Sequence, residues 1–460
     1  MTRFAIAAFL IATLGATLHA RGEVIVLKGG GTVEAYSIEA ENISGIYWEQ
    51  ERRKAGIKKQ LWEVEHVRYP VAELDDYNSL PRKAASGRGD TLQDSAEAFL
   101  SKEMEQPTGI GKDEWERIRL TCRYYLAMAY MLREEYAEAA VKYQEFLEAA
   151  DEYAGAIRDG DNFFSGVRFK SPFSGSDVKN AGALHRLYLD GLNDLGDCHA
   201  NLGNAADASK YGYQPLLALT EQLYQNSDRN EYFDWAIRAL RSAARLSEKN
   251  AESAEAGDDK AAAKEAYKAA RESYEQLANV ARRKGGSDSK DANEAQLKVG
   301  FLLIKEGDLR AATAQFHDGV KKWEAVYRGR ASAPASGWIS RDVAYLTAGS
   351  YIGSGLIAVE EAKVRNAADK WSEALKNFSA ALAIFRGDDE LRSMALLHSA
   401  QASSELAKLN GRKKEVAGNH ARRAEKYVTE LKELLPKSKA AESPLIDEIN
   451  KVVKQYRVDE

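Results

Sequence analysis

Asp190, Asp194 and Asp197 stand at i, i+4 and i+7 in "YLDGLNDLGDCHAN", with His199 close behind. On a helix that spacing sets three carboxylates along one face, and converging carboxylates are the chemistry of hard cations. One helical face supplies only part of a ligand set, so the expectation is a solvated acidic face without a metal. Other reactive constellations fail sooner. No histidine falls in HExxH or HxxxH, and no G-x-S-x-G elbow occurs. "PTGIGKDEW" has a lysine after glycines but lacks the leading glycine and the Ser or Thr after Lys112 of a phosphate loop. It reads as a turn that starts a helix, with Asp113 and Glu114 at the positive helix end. Ser176–Lys179 and Ser287–Lys290 match S-x-x-K, but both lie in polar loops that cannot desolvate a lysine. His185, His317, His398 and His420 are scattered singly and read as packing or surface residues. The sequence therefore implies no catalytic residue, no metal site and no cofactor.

The elements that carry these residues follow from composition and periodicity. The chain has 460 residues, enough for about three ordinary domains or one domain and a repeat array. It is 44% hydrophobic with only 8 prolines, which allows a core and favours helices. Its 65 Lys and Arg against 70 Asp and Glu leave −5, a near balance that gives no nucleic-acid-binding field.

Three segments precede the helices. "MTR", the uncharged "FAIAAFLIATLGATL" and the small residues of "HARGE" have the layout of a secretory signal peptide, residues 1–20. Cleavage fits after Ala20 or after Gly22, and the expected location is periplasmic or outer-envelope in a bacterium. Residues 21–80 alternate like short strands in "EVIVLK", "TVEAYSIEA", "ISGIYWEQ" and "QLWEVEHVRY". Four such strands suggest a small barrel-like β domain, SH3- or Sm-like in outline, that leans on its neighbour for stability. Within it, Arg52, Arg53, Lys54, Lys58 and Lys59 lie between Trp48 and Trp62. That loop suits an anionic polymer or lipid headgroup, or is a solvated hairpin loop. Residues 81–92 read as a polar linker.

From residue 93 to 460 the grammar is helical. Tyr136, Ala139, Tyr143 and Phe146 fall within roughly 80° of arc on a helix. The same pattern returns as Tyr267, Ala270, Tyr274, Leu277; as Leu309, Ala312, Phe316, Gly319; as Trp371, Ala374, Phe378, Ala381; and weakly as Ala421, Ala424, Val428, Leu431. Before these stand Leu126-Ala127 with Tyr130, Leu195-Gly196 with His199, and Val299-Gly300 with Leu303. Small residues on one helix would admit the large residues of its partner. The unit at "HANLGNAADASKYGYQP" breaks at Gly212 and Pro215, where its second helix should be strongest. "AYLTAGSYIGSGLIAV" reads as a buried helix with close neighbours, and "SPLIDEINKVVKQYRVDE" as a closing helix with Ser443 as N-cap.

This arrangement resembles the tetratricopeptide repeat (TPR) family, in degenerate form. The fold implied is mainly α, a TPR-like α-solenoid of helix pairs behind the small β domain. The resemblance implies a non-enzymatic scaffold or adaptor whose groove, on the first helix of each pair, holds extended or helical segments of other proteins. An alternative is a non-catalytic subunit presenting an envelope glycan or lipid to a separate enzyme. The family's groove positions fall on Tyr124, Met128 and Met131, then on Asn193 and Asp197, then on Phe301 and Ile304. Inserted loop 154–182 carries Phe163, Phe164, Phe169 and Phe173, which either contact a partner or fold back into a helix groove. In this alignment Cys122 sits seven residues earlier in its helix than Cys198, about 10 Å along the axis. A disulfide wants Cα atoms within about 7 Å, so two free buried thiols are expected.

Overall fold

The computed structural model describes residues 23–49, 57–101, 105–156, 167, 169–175, 177–178, 181–286, 288–332, 338, 340–365 and 367–457. The leader expected at residues 1–20 lies outside them. The chain divides into two compact units, Met1–Ala243 and Ala244–Glu460.

Among the described residues the first unit begins with six strands rather than four. These are β1 (Glu23–Leu27), β2 (Thr32–Ala35), β3 (Ser37–Asn42), β4 (Gly45–Glu49), β5 (Ile57–Lys59) and β6 (Val64–Arg68). They form two antiparallel sheets in the orders β2-β1-β6 and β3-β4-β5. "TVEAYSIEA", which reads as one strand, passes from one sheet to the other at Tyr36 and so counts as two. The sheets lean on helices, as their size requires. The Ile43 amide donates to the Leu184 carbonyl (2.8 Å), and the Tyr232 hydroxyl donates to the Ile43 carbonyl (2.8 Å).

The expected linker at 81–92 is helical instead. It lies in α1 (Asp75–Ala85) and α2 (Gly89–Leu100), with Gly87 at φ +70° in the turn between them. Tyr77, Leu80, Leu92, Ala96 and Phe99 are buried, and that apolar face outweighs the Pro and Gly content that suggests a loop. Next come α3 (Lys112–Leu132) and α4 (Tyr136–Ala156), then short strands β7 (Phe169–Lys170) and β8 (Asp177–Val178), then α5 (Tyr188–Asn201). "PTGIGKDEW" is a helix start, since the Gly111 amide donates to Glu114 (3.0 Å) ahead of Lys112.

The second helix after α5 does not break. It runs as α6 (Ala205–Asp207), a π-helical stretch over Ala208–Tyr213 and α7 (Gln214–Ser227), with Pro215 in the first turn of α7. The wider π turn absorbs the irregularity. A Cβ on Gly212 would lie 2.4 Å from the Gly196 Cα, so the two glycines let α5 and the π stretch touch backbone to backbone.

The next helix, α8 (Phe233–Ala256), runs from the first unit into the second. There follow α9 (Lys260–Gly285), α10 (Lys290–Glu306), α11 (Leu309–Tyr327), α12 (Ser340–Arg365), α13 (Ala368–Ile384), α14 (Asp389–Leu409), α15 (Lys414–Leu434) and α16 (Leu445–Tyr456). Successive helices pack against each other; α12 also touches α10 and α14, forming a layer of first helices. This is the helix-pair stacking of an α-solenoid, and the fold is mainly α. The five stripes each fall on the second helix of a pair: α4, α9, α11, α13 and α15. Their central residues are buried, Tyr143, Tyr274, Phe316, Phe378 and Val428 among them. Phe316 enters a socket of absent side chains: a Cβ on Gly300 or Gly353 would lie 2.6 or 2.2 Å from its ring. "AYLTAGSYIGSGLIAV" is thus the buried helix its glycines suggest. In α16 the buried set is Ile446, Ile449, Val452 and Val453, and Pro444 rather than Ser443 takes the cap position.

Candidate functional site

The helices α3, α5 and α8 gather a polar cradle in the first unit. The Tyr124 hydroxyl on α3 donates to Asp194 Oδ2 on α5 (2.9 Å), and the Tyr143 hydroxyl on α4 approaches the same oxygen (3.2 Å). Asp197 accepts from Tyr213 (2.7 Å) and from Asn193 (3.0 Å). Asp190 accepts from the Trp235 indole (3.0 Å) and pairs with Arg238 (3.0 Å), both on α8. The expected solvated acidic face is therefore corrected. The carboxylates are partly exposed, but each is held by donors from neighbouring helices. Among the described residues no group of His, Cys, Asp and Glu is placed to hold a metal.

Desolvation raises the Asp194 carboxyl to about 7, helped by Asp190 and opposed by the Tyr124 hydrogen bond. Burial also raises both thiols, Cys198 to about 12, which keeps them protonated and unreactive. Cys122 and Cys198 are free and buried.

Of the residues singled out from the sequence, Tyr124, Asn193 and Asp197 converge in this cradle. Tyr124 and Asn193 are buried in its floor, while Asp197, Met128 and Met131 are partly exposed. Sequence reasoning misses the roles of Tyr143, Tyr213, Trp235 and Arg238. Tyr143 reads as a core stripe residue, Tyr213 lies in the unit expected to break, and Trp235 with Arg238 carry no motif. Asp190 and Asp194 register in the sequence only as an acidic face.

In the second unit Phe301 and Ile304 are partly buried in α10. Phe301 packs on Phe316 with ring centres 5.2 Å apart, and Ile304 packs on the same core. Phe301, Tyr345 and Met394, from α10, α12 and α14, pack against one shared core cluster. Lys298 on α10 pairs with Glu390 on α14 (3.7 Å), so the layer of first helices curves tightly enough to be bridged over one intervening helix. A cleft of about 230 Å³ lies on other faces of α9 to α12, among Arg282, Asn293, Gln296, Gln315, Lys322 and Trp323.

In the loop 154–182, Phe163 and Phe164 lie outside the described residues. Phe169 is buried edge-on to Tyr188 (5.6 Å), and Phe173 lies parallel to Tyr211 (6.1 Å). In the basic loop, Arg52, Arg53 and Lys54 lie outside the described residues. Lys59 pairs with Glu63 (3.3 Å) and Lys58 sits over the Tyr47 ring (5.0 Å).

A second polar group is sealed where the sheets meet the helices. Glu41 on β3 pairs with Arg186, and Arg117 on α3 donates to the Ile38 carbonyl (3.1 Å). His185 lies 3.2 Å from the Thr121 hydroxyl, and burial holds its ring neutral. Glu23 is raised to about 8 by burial and by Glu114 beside it. These groups are buried, so they hold the junction together and offer no surface to a partner.

No family model matches the chain, and no curated protein matches it. Among solved structures, the apo form of RapI is similar at 11% identity and a TM-score of 0.39, covering 84% of this chain and 100% of that one. A circular tandem repeat protein with novel repeat topology is similar at 12% identity and a TM-score of 0.23, covering 84% and 88%.

Proposed function

We propose that this protein is an exported scaffold or adaptor built of TPR-like helical repeats, which holds segments of other proteins against the first-helix face of its first unit. The supporting observation is the cradle itself. Partly exposed Met128, Met131 and Asp197 accompany a floor of hydrogen-bonded tyrosines, a preformed mixed surface of the kind that receives an extended or helical segment. Export rests on the layout of residues 1–20 alone. In the second unit Phe301 is largely used in packing against Phe316, so the first unit is the better candidate.

Replacing Met128 with Glu puts a charge on the face without touching the core. The variant should melt within about 0.5 kcal/mol of the parent and capture its partners from the native envelope at least tenfold less well. Unchanged capture by a folded variant contradicts the assignment.

A further inference from the structure

The cradle has an imbalance of charge. Asp190, Asp194 and Asp197 lie along α5, and the donors they meet are Tyr124, Tyr143, Tyr213, Trp235 and Asn193, all neutral, with Arg238 as the one cation bonded to them among the described residues. Asn193 is 2% exposed and turns its amide nitrogen to Asp197, which leaves its Oδ1 buried without a partner. A buried acceptor without a donor is unfavourable, and an incoming N–H group would relieve that. We infer that this cradle is a receptor for a basic side chain, lysine or arginine, carried by a protein partner. The inference rests on the scaffold reading and gives its face a chemistry.

Several features favour this occupant. The acceptors are spread over two turns of α5 rather than focused on a point, which suits an ammonium or a forked guanidinium with several donors. The Tyr124 hydroxyl and the Trp235 indole N–H hold Asp194 and Asp190 in place, so the acceptors are preset for a donor-rich head group. An acidic side chain would meet uncompensated carboxylates and be repelled. The groups facing Asp194 are Tyr124 from α3, Tyr143 from α4, Asp190, Asp197 and Cys198 from its own helix, and Arg238 from α8. A cation placed among them favours the ionised carboxyl, so binding below about pH 7 releases a proton and tightens as pH rises.

The test uses the full chain, with Nα-acetyl-lysine amide and Nα-acetyl-arginine amide as probes. Carboxyl carbon resonances of Asp190, Asp194 and Asp197 report binding by NMR, and the norleucine and glutamate amides serve as neutral and acidic comparisons. The basic amides should shift these resonances saturably, at least fivefold more tightly at pH 8 than at pH 6. The triple variant Asp190→Asn, Asp194→Asn, Asp197→Asn keeps the side-chain shapes and should lose the response while melting cooperatively. If the triple variant fails to fold, Asp197→Asn alone should weaken binding at least threefold. No saturable shift, or an equal response to the norleucine amide, overturns the inference. Partner capture by the triple variant separates the two readings: capture retained in full sinks the basic-side-chain receptor and leaves the scaffold standing.

Discussion

Asp194 is where local chemistry has the clearest consequence. Its carboxyl titrates near 7 in the folded chain, against an ordinary 3.8, so folding retains a proton that the unfolded chain gives up. The stability this group contributes is complete below about pH 4 and is lost as pH rises through about 7. Asp194→Asn should remove that dependence. The variant gains on the parent by about 1–2 kcal/mol between pH 5 and pH 8 in urea titrations, while Glu23, near 8, leaves both chains a slope at higher pH. A gap between the two chains that does not change with pH refutes the assignment. Arg186 and Glu41 make the opposite case, a buried pair that tolerates no half measures. Arg186→Met should cost about 3–5 kcal/mol, and adding Glu41→Leu should recover much of it, as equilibrium unfolding would show. The sequence displays the carboxylates of α5 and even their common face. It cannot display the tyrosines and tryptophan that hold them, because those arrive from helices whose spacing obeys core packing alone.

Between residue and molecule stands a turn used again and again. After α3, α5, α8 and α10 the chain enters the left-handed region at Glu134, Gly203, Asp258 and Gly307. The next residue's amide then reaches back five positions, as from Glu135 to Tyr130 (3.0 Å), Asn204 to His199 (2.9 Å), Asp259 to Ala254 (2.9 Å) and Asp308 to Leu303 (2.9 Å). This Schellman closure reverses the chain tightly enough to set each helix against its partner. Where glycine holds the position the repeat is legible, and at Glu134 and Asp258 it is hidden behind ordinary charged residues. Glu134→Gly should therefore stabilise the first unit by up to about 1 kcal/mol, visible as a raised unfolding midpoint; no gain would mean the φ of +62° is not strained. The sockets are easier to foresee than the turns, since Gly300 and Gly353 stand at helical spacing from large neighbours. Gly353→Leu should drive Phe316 out of its socket and cost at least about 3 kcal/mol. The π stretch before α7 and the helices over residues 81–92 are not legible. Gly and Pro mark a turn on local grounds, whereas packing against Gly196 or burial of Tyr77 and Phe99 is decided by distant residues.

At the scale of the molecule there are two compact units in which helices stack in pairs, and the proposed partner face lies on the first-helix side of the first unit. α16 closes the second unit by covering α14 and α15. Its loss would uncover Leu396, Val428 and Leu431, so a chain ending at residue 443 should self-associate in light scattering, and a monodisperse monomer would contradict the closing role. Mainly helical architecture and the presence of repeats can be read from periodicity, because the 3.6-residue stripe is written locally. Where one unit ends cannot, because contact density along α8 leaves no mark in composition. The most direct measurement places a photo-crosslinking amino acid at Met128 on the first-helix face and, as a reference, at exposed Glu138 on α4. Crosslinks made in the cells that produce the protein are then mapped by mass spectrometry. The account predicts that Met128 yields a discrete set of partner segments with a lysine or arginine near the linkage, and that Glu138 does not. Equal and unselective crosslinking from both positions would contradict it.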